Sequence, residues 1–442
     1  MDNGVLVDSD AIYQRLLGYV NVEKGQKTEF KLDRMEDLAS RLGHPERSWK
    51  CVHVAGSKGK GSISTMIARI LAADGHRTGL YTSPHILRWK ERLTLAGEEL
   101  PEEILLEAYA RLRPLIEGRS AADFKGGEFP TYFELTTLLA FEAFRLRGCD
   151  RAVIETGLGG RLDSTNIVDP ELSVITPLEL EHTEFLGDNL GAIAFEKAGI
   201  IKPGKPVYVS KQAPEALEVL QEVALRRGSA LHSIPALARI GPVSVTREGT
   251  EAELLFPAGW PWEGPRSFRV PLIGGIQAEN MALAIVAAAA IEPGLKPETA
   301  AAGLATAFLP ARFQILPGEP PLVIDGAHTP TSVALTLATF RDLFPGPAHL
   351  VFACASDKHH EEMARILGPH FAKVTITRPG SFKASDPEIV YASFKEHSAS
   401  IELEAQTRSA LLTARERARE AGLPLLVTGS FYLCAEAVSA FS

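Results

Sequence analysis

The sequence predicts an α/β protein of two domains. The first domain has a central, mostly parallel sheet and a small antiparallel β insert, and the second is a smaller Rossmann-like α/β unit. A chain of 442 residues is longer than one hydrophobic core usually organises. Apolar runs of strand length alternate with helical stretches, and these runs are continuously apolar, as in strands buried on both faces. Together these features favour two layered α/β domains.

The first domain is predicted over residues 1–309. Its strands are the apolar runs 51–55, 78–83, 151–156, 172–176 and 206–210, and its first helices are predicted at 62–74, 102–117 and 132–147. From about 229 to 273 the pattern changes to short strands around the turn-rich "PAGWPWEGP", which predicts the antiparallel insert. Two more helices follow at 277–291 and 297–307.

The second domain is predicted over 314–442, after a hinge at "PARF", Pro310 to Phe313. A fresh strand series begins there, at 321–325, 349–353, 373–377 and 424–429. Helical stretches separate these strands, so the second sheet is also expected to be mainly parallel.

Composition excludes several classes of function. The formal net charge of -9 argues against a nucleic-acid binder, and the longest nearly uncharged apolar run, 281–291, is too short to cross a bilayer. The start, "MDNGVLVDSD", lacks the basic and apolar regions of a signal peptide. The four cysteines are far apart and never form CxxC, which is typical of buried thiols in a reducing compartment. We therefore expect a cytoplasmic protein without nucleic-acid or membrane partners.

The stretch "AGSKGKGS", residues 55–62, predicts a phosphate-binding loop. A strand leads into it and a helix follows, which is the context that such loops require. Its glycines allow backbone N–H groups to approach an anion, Lys60 supplies a charge for phosphates, and Ser62 is placed to ligate Mg²⁺. The spacing departs from G-x-x-x-x-G-K-[ST], because Gly61 separates Lys60 from Ser62. The alternative is a plain glycine turn.

A second glycine-rich stretch, "ETGLGGRLDSTN", follows another buried strand. It places Glu155 at the carboxyl edge of the sheet, where α/β proteins bind ligands, and it also offers Arg161 and Asp163. A surface carboxylate or a helix cap is the alternative, but a neighbouring phosphate loop favours Mg²⁺ ligation by Glu155. Two further residues, His182 and Lys197, lie after the next strand; from that segment alone, a structural histidine and a solvated lysine are the more frequent interpretations.

Taken together, the motifs resemble the folylpolyglutamate synthase/dihydrofolate synthase family, a branch of the Mur-type amide ligases. The resemblance covers nearly the whole chain in order. It rests on "HVAGSKGKGS", "YTSPHILRWKERL", "FPTYFELTTLLAF", "IETGLGGRLDSTN", "EHTEFLGDNLGAIAFEKAGIIKPG", "ARF", "IDGAH", "SDK" and "VTGSFYL". The loop of this family is G-x-x-G-K-G-S, which accounts for the extra glycine.

The resemblance implies a role for each matching residue. For ATP, it implies contacts from Gly56, Ser57, Lys58, Gly59, Lys60, Gly61, Ser62, Gln277, Asn280, Arg312, Asp325 and His328. For two Mg²⁺ ions, it implies ligands from Ser62, Ser83, Glu155 and His182. For the acceptor carboxylate and glutamate, it implies Ser83, Pro84, His85, Arg92, Phe133, Glu134, His328 and Ser430. Catalysis is assigned to Lys60, Glu155, His182, Arg312 and Lys197, the last of which matches a lysine that is carbamylated in this family.

The implied reaction is ATP-dependent ligation of L-glutamate to a folate or pterin carboxylate through an acyl phosphate, by a monomeric enzyme. Four residues depart from the family pattern: Lys58 replaces asparagine, Glu181 aspartate, Ile276 histidine and Thr329 asparagine; "DKHH" also replaces "DKD". The acceptor therefore stays open among dihydropteroate, a tetrahydrofolate and a non-folate carboxylate. Outside this class, the alternatives are a P-loop kinase and a nucleotide-binding regulatory protein without turnover.

Overall fold

The structure of the protein, a computed structural model, describes residues 8–20, 31–380 and 384–441. Residues 1–7, which carry most of the stretch inspected for a signal peptide, lie outside the described residues. The chain forms two compact units. The first comprises Met1–Pro242, Ala252–Arg269 and Ala278–Ala307, and the second comprises Val243–Glu251, Val270–Gln277 and Phe308–Ser442.

The first unit is built on a large sheet, eight-stranded in the described part of the chain, with the order β4-β3-β2-β5-β1-β6-β7-β8. Its strands are β1 (Lys50–Ala55), β2 (Thr78–Tyr81), β3 (Leu93–Leu95), β4 (Glu98–Glu99), β5 (Arg151–Glu155), β6 (Leu172–Ile175), β7 (Val207–Val209) and β8 (Leu231–Ser233). From β2 to β8 all neighbours are parallel, whereas β3 and β4 add an antiparallel edge. The predicted mostly parallel sheet is confirmed.

The central strands are apolar because helices cover both faces of a parallel sheet. Every residue of β2 and β6 is buried, as are the last five of β1. The helices of this part of the chain are α1 (Ser9–Leu16), α2 (Asp33–Arg41), α3 (Lys60–Ala73), α4 (Glu102–Ile116), α5 (Tyr132–Leu146), α6 (Thr183–Leu186), α7 (Leu190–Ala198), α8 (Pro214–Arg226), α9 (Ile234–Leu237), α10 (Ile276–Ile291) and α11 (Pro297–Leu304). Short 3₁₀ turns lie at Pro45–Arg47, Trp89–Arg92, Ala121–Asp123, Lys125–Gly127 and Ser164–Ile167.

A three-stranded sheet corresponds to the predicted insert, and its strands are β9 (Arg239–Thr246), β10 (Gly249–Phe256) and β11 (Gly264–Val270). Two residues join β9 to β10, a connection that permits only antiparallel pairing. The insert begins later than the predicted residue 229, because Leu231–Ser233 pairs in parallel with β7 and belongs to the large sheet. Trp262 donates its indole N–H to the Leu295 carbonyl at 3.0 Å, which ties the loop before β11 to the α10–α11 turn.

The second unit contains a sheet with the order β12-β13-β17-β14-β15-β16, counting only the described residues. Its strands are β12 (Gln314–Leu316), β13 (Leu322–Ile324), β14 (His349–Phe352), β15 (Lys373–Ile376), β16 (Ile401–Leu403) and β17 (Leu425–Thr428). Only the β12–β13 pair is antiparallel among these neighbours. The helices are α12 (Pro330–Leu343), α13 (His360–Leu367), α14 (Pro387–Lys395), α15 (Thr407–Ala421) and α16 (Phe431–Phe441), with a 3₁₀ turn at Gly368–His370. The predicted second α/β unit is thus confirmed.

The cysteines and the helices of the fold bear on two of the sequence predictions. The cysteines, Cys51, Cys149, Cys354 and Cys434, are all buried and none is in a disulfide, as expected for thiols that act as small core residues. Within residues 8–20, 31–380 and 384–441, no helix has both the length and the apolar character that a bilayer crossing requires.

Candidate active site

The phosphate loop connects β1 to α3, as predicted. Gly56 has φ 148° and Gly59 has φ 84°, both in the region that favours glycine. A Cβ on Gly56 would lie 1.8 Å from Thr176 Oγ1, so the loop passes against the end of β6 with no room for a side chain. The backbone N–H groups of Ser57 and Lys58 donate to the Pro177 carbonyl at 3.0 and 3.2 Å. Strand β6 and the residues after it therefore hold the loop in place.

Because the Ser57 and Lys58 N–H groups are already bonded within the protein, they are not the groups expected to bind an anion. Ser57 Oγ also donates to the Glu179 carbonyl at 3.1 Å, so its hydroxyl fastens the loop as well. The N–H groups at the amino end of α3, from Lys60 to Ser62, have no partner within the helix and can face an anion. The helix dipole adds positive potential at the same point.

Two lysines converge on one carbonyl of the loop. Lys60 Nζ donates to the Gly56 carbonyl oxygen at 2.8 Å, and Lys197 Nζ, from α7, donates to the same oxygen at 2.7 Å. Lys197 is 2% exposed, so the expectation of a solvated lysine, drawn from its segment alone, is wrong. The sequence resemblance assigned both residues to one site, and the structure brings them together.

Glu181 balances this positive cluster. Its carboxylate lies 3.1 Å from Lys197 Nζ and 3.8 Å from Lys58 Nζ. Burial acts to raise the pKa of Glu181, but Lys197, Lys60 and Lys58 outweigh it and lower that pKa to about 2. Burial lowers the pKa of Lys197 to about 8, against the opposing effect of Glu181. Sequence reasoning treated Glu181 only as a departure from the family pattern and missed its contact with Lys197.

The predicted metal ligands Ser83 and Glu155 are brought together at the carboxyl edge of the sheet. Glu155 ends β5 and is 2% exposed, and its Oε2 accepts the Ser83 backbone N–H at 3.1 Å. Ser62, at the start of α3, is also buried. Carboxylate and hydroxyl oxygens are the hard donors that Mg²⁺ prefers, so these side chains fit the implied ion chemically.

Asp163 organises the glycine-rich loop that follows Glu155. Its carboxylate accepts the N–H groups of Gly157 and Leu158 at 2.9 and 2.8 Å and the Thr165 N–H at 3.0 Å. Burial raises the pKa of Asp163, and these hydrogen bonds act in the opposite direction. The role of Asp163 is therefore to fix the loop, while Arg161 pairs with Glu196 at 2.8 Å.

His182 differs from the other predicted ligands because it is exposed. It precedes α6 with φ 48° and ψ 40°, a left-handed conformation that is uncommon outside glycine. Such a backbone at a histidine is consistent with a functional constraint on its position. Its role as a metal ligand stays a prediction.

The predicted acceptor residues after β2 form a buried polar pair within an aromatic group. Arg92, 1% exposed, donates from Nε to His85 Nδ1 at 2.8 Å and lies over the Tyr132 ring at 5.6 Å. Burial, with a smaller effect of Arg92, lowers the pKa of His85 to about 3, so this ring is neutral. Pro84 lies between Ser83 and His85, which places all three predicted residues in one short segment.

Phe133 and Glu134, also predicted to contact substrate, begin α5. The Phe133 ring lies against Gly157, where a Cβ would approach to 2.4 Å. Glu134 is held by Arg34, whose Nη2 lies 3.0 Å from Oε2, and it also accepts the Thr131 N–H at 2.6 Å. These contacts make Glu134 part of a helix cap and a buried ion pair. Contact with substrate stays a prediction.

Asn280 and Gln277 lie in the first turns of α10, and both are buried. Asn280 Oδ1 lies 2.8 Å from the position that a Gly59 Cβ would occupy, so this amide is packed against the phosphate loop. Gln277, in the second unit, donates its backbone N–H to the Gly274 carbonyl at 2.9 Å. The Asn280 side chain therefore lies directly against the loop.

In the second unit, Arg312 lies between two residues of unusual conformation. Ala311 and Phe313 have φ values of 54° and 46°, and the Arg312 guanidinium stacks 4.2 Å above the centre of the Phe431 ring. Asp325, after β13, accepts the Phe313 N–H at 2.7 Å. Left-handed alanine and phenylalanine cost conformational energy, which indicates that the position of Arg312 is imposed by its surroundings.

The other predicted residues of the second unit lie at the ends of β13 and β17. The His328 ring, whose Nδ1 lies 2.8 Å from the Gly326 carbonyl oxygen, contacts Phe431 edge-on at 5.4 Å. Ser430 Oγ accepts the Tyr432 N–H at 3.2 Å. Thr329 caps α12 through the Ser332 N–H. Threonine and asparagine are both favoured helix caps, which accounts for this departure.

Comparison with known proteins agrees with this arrangement. Residues 54–288 match the Mur ligase middle domain, and residues 311–431 match the Mur ligase glutamate ligase domain. A folylpolyglutamate synthase of Lacticaseibacillus casei is 34% identical over 414 residues, which cover 90% of this chain and 92% of that protein. A probable bifunctional folylpolyglutamate synthase/dihydropteroate synthase of Haloferax volcanii is 36% identical over 90% of this chain, which spans only 47% of the relative.

A solved structure supports the same grouping. The Mycobacterium tuberculosis folylpolyglutamate synthase complexed with ADP superimposes with a TM-score of 0.88 at 27% identity, covering 98% of this chain and 97% of the other. Both domain matches, the extended sequence identity and the shared fold lead to one conclusion. The chain belongs to the folylpolyglutamate synthase/dihydrofolate synthase family of Mur-type ligases.

Proposed function

We propose that this protein is an ATP-dependent carboxylate–amine ligase that adds L-glutamate to a folate or dihydropteroate carboxylate. The observation that carries the proposal is the convergence of Lys60 and Lys197 on the Gly56 carbonyl, within the loop that joins β1 to α3. Lys60 and the amino end of α3 form a site suited to the phosphates of a nucleotide, and Lys197 lies beside it. The ADP complex of the M. tuberculosis relative supports the choice of nucleotide.

The reaction has two steps. A carboxylate oxygen of the acceptor attacks the γ-phosphorus of ATP, and the bond to ADP breaks. The amine of glutamate then attacks the acyl carbon of the resulting acyl phosphate, inorganic phosphate leaves, and the amine loses a proton. Carboxylate and phosphate are both anionic, so positive charge must offset their repulsion as they approach. Lys60 supplies that charge from a position fixed before substrate binds.

Ser62, Ser83, Glu155 and His182 are the residues proposed to hold two Mg²⁺ ions. When bound, Mg²⁺ would offset phosphate charge and orient the γ-phosphate. Glu155 is buried at the end of β5 with its Oε2 on the Ser83 N–H, which keeps this carboxylate at the sheet edge. Because an ionised carboxylate has two acceptor oxygens with several lone pairs, that hydrogen bond is compatible with ligation of a cation.

Carbamylation of Lys197 is the second part of the proposal. The modification requires a neutral amine to attack carbon dioxide, and burial lowers the pKa of Lys197 to about 8. An amine with that pKa is neutral in about a tenth of the molecules at pH 7, far more than an ordinary lysine. The modified group would be an anion. The charges of Lys60 and Lys58 would favour it, whereas the Glu181 carboxylate, 3.1 Å from Nζ, would oppose it.

Arg312 is proposed to act on the phosphates, and His328 and Ser430 on the amino-acid substrate. The left-handed residues on both sides of Arg312 support a position dictated by function. His328 and Ser430 lie on the two loops that follow β13 and β17, at the edge where α/β sheets bind ligands. We propose a soluble, cytoplasmic, monomeric enzyme on the basis of composition and family.

Release of ADP tests the proposal. Purified protein with ATP, Mg²⁺, glutamate and dihydropteroate or tetrahydrofolate is expected to release ADP and inorganic phosphate in equal amounts. Omission of either the glutamate or the carboxylate should stop steady-state release. A phosphorylated product without free phosphate would instead indicate a kinase, and the absence of turnover with every folate carboxylate would point to a different acceptor.

A further inference from the structure

A second group of metal-ligating side chains lies in the first unit, at the amino ends of the strands. Asp74 follows α3, His76 precedes β2, and Glu292 follows α10; one ligand atom from each lies within 4.8 Å of the other two. Ser83 follows the carboxyl end of β2, and Glu155 is the last residue of β5, so both lie at the opposite edge of the sheet from this group. The length of β5 therefore separates the two regions by about 13 Å, so this group is not part of the candidate active site.

The orientation of His76 is fixed by Asp150. His76 Nδ1 lies 2.6 Å from Asp150 Oδ2, and because a carboxylate only accepts, Nδ1 carries the proton. In a neutral imidazole with the proton on Nδ1, the Nε2 atom carries a lone pair and can bind a metal. That atom lies 3.3 Å from Glu292 Oε1 and 3.9 Å from Asp74 Oδ2. Three acceptor atoms that converge in this way repel one another, and the Arg151 guanidinium beside Glu292 Oε1 offsets only part of that repulsion, so a proton or a metal cation fits among them.

The spacing of these atoms fits a metal ion of the zinc class. Zinc binds nitrogen and carboxylate oxygen at about 2.0–2.2 Å in a tetrahedral arrangement, which places neighbouring ligand atoms about 3.3–3.5 Å apart. The 3.3 Å separation of His76 Nε2 from Glu292 Oε1 lies in this range, the 3.9 Å separation from Asp74 Oδ2 is somewhat longer, and the ligand atoms of all three residues lie within 4.8 Å of one another. Mg²⁺ fits less well, because it requires octahedral oxygen ligands.

The surrounding charges favour a cation. The carboxylates of Asp74, Asp150 and Glu292 lie near the guanidinium of Arg151, whose Nε donates to Glu292 Oε1 at 2.6 Å and whose Nη1 lies 3.5 Å from Asp150 Oδ2. A hydrogen bond of this kind is the usual support for a ligating carboxylate. Asp150 also accepts the Arg77 backbone N–H at 2.8 Å, which fixes its position. The side chains are partly exposed, so an ion can enter from solvent.

We propose that Asp74, His76 and Glu292 bind one divalent transition-metal ion of the Zn²⁺ class, with water as the fourth ligand. Asp150 and Arg151 act as positioning residues for His76 and Glu292. The ion would join the short α3–β2 connection, which carries both Asp74 and His76, to the end of α10, which is distant in sequence. Its role is structural, and the proposal does not depend on the ligase reaction.

Co²⁺ is the probe that tests this proposal. The full chain, treated with a chelator and free of nucleotide, is expected to bind Co²⁺ with the intense visible bands of tetrahedral coordination, and Zn²⁺ should displace it. His76→Gln and Glu292→Gln are expected to weaken this binding at least tenfold, and Asp150→Asn about tenfold. His370→Gln, which changes a histidine beside Arg341 in the second unit, is the matched control and should bind as the wild type does.

Two further measurements separate this site from the catalytic metals. Glu155→Gln should retain the tetrahedral Co²⁺ spectrum, and His76→Gln should retain ligase turnover at saturating Mg²⁺ and ATP. Equal Co²⁺ affinity in the wild type and in folded His76→Gln would overturn the proposal, as would loss of the spectrum in Glu155→Gln. An absence of Co²⁺ binding in the wild type would also overturn it. If His76→Gln does not fold, Glu292→Gln provides the same comparison.

Discussion

At the scale of single residues, the Gly56 carbonyl is the centre of the candidate active site. It accepts from both Lys60 and Lys197, so two side chains from different helices are held near each other before any substrate binds. Glu181 offsets part of this charge through Lys197. The Lys60 charge is therefore already oriented when anionic substrates arrive, and little reorganisation is needed during the reaction.

Replacement of Lys60 by alanine tests its role in neutralising phosphate. We expect Lys60→Ala to lower kcat by at least about 100-fold, because the removed charge acts on the transferring phosphoryl group. The circular dichroism spectrum should be unchanged, since Nζ donates to a loop carbonyl and not to a helix or strand. Lys205→Ala, which removes a surface lysine near Glu171, is the matched control. Near-normal turnover by Lys60→Ala would contradict the assignment of the phosphate loop.

Lys197→Ala tests the proposed carbamate. This variant should also lose at least about 100-fold in turnover, and short carboxylic acids such as acetate should restore part of the activity by supplying the missing anion. Lys60→Ala, measured with the same acids, should show no recovery. Full activity of Lys197→Ala would exclude a catalytic role for Lys197, and loss without rescue would exclude the carbamate as its working form.

His53, in the middle of β1, predicts a pH dependence of stability. It is fully buried with Nε2 on Thr165 Oγ1 at 2.9 Å, and burial holds its pKa well below the usual 6.5. Above pH 6.5 neither the folded nor the unfolded state binds the proton; as the pH falls below 6.5 only the unfolded state does, so stability is lost. Between pH 6 and pH 5 the free energy of unfolding should fall by about 1 kcal/mol more in the wild type than in His53→Gln. Parallel pH profiles in urea denaturation would contradict this expectation.

At the scale of elements, the phosphate loop depends on its glycines. Gly56→Ala would place a methyl group 1.8 Å from Thr176 Oγ1, whereas a Cβ on Gly75, which has φ 95°, would have nothing within 4 Å. We expect Gly75→Ala to cost about 1–2 kcal/mol from its left-handed backbone alone. Gly56→Ala should be more destabilising and should lose ADP binding, as measured by urea denaturation and calorimetry. Equal ADP affinity in the two variants would show that the loop tolerates this change.

The long elements were predictable because their patterns are local. Buried parallel strands such as β1 and β6 appear as continuous apolar runs, and amphipathic helices such as α4 show their period. The strands β3, β4, β12 and β16 were missed because each is only two or three residues long; β7 and β13 are equally short but lie within the longer apolar runs 206–210 and 321–325. β8 was grouped with the insert because its pairing with β7 is a tertiary contact that the sequence of Leu231–Ser233 does not reveal.

In the candidate active site, too, residues within local motifs were predicted, whereas contacts between residues far apart in sequence were not. Lys60, Ser62 and Glu155 follow from glycine loops at strand ends, and the structure places them there. The ion pair between Glu134 and Arg34 could not be foreseen, because 100 residues separate the partners. Likewise, the burial of Lys197 depends on α7 packing beside the loop, and its own segment gives no sign of it.

At the scale of the whole molecule, each unit carries one set of candidate residues at the carboxyl ends of its parallel strands. The first unit carries Lys60, Lys197 and the predicted metal ligands, and the second carries Arg312, His328 and Ser430. The central claim is that the acceptor carboxylate itself is phosphorylated.

The fate of the carboxylate oxygen tests that claim most directly. An acceptor labelled with ¹⁸O in its carboxylate is incubated with the protein, ATP, Mg²⁺ and glutamate, and the phosphate released is analysed by mass spectrometry. Ligation through an acyl phosphate predicts that each phosphate carries one oxygen from the carboxylate and that the amide retains the other. Unlabelled phosphate with both labelled oxygens still on the acceptor would contradict the mechanism.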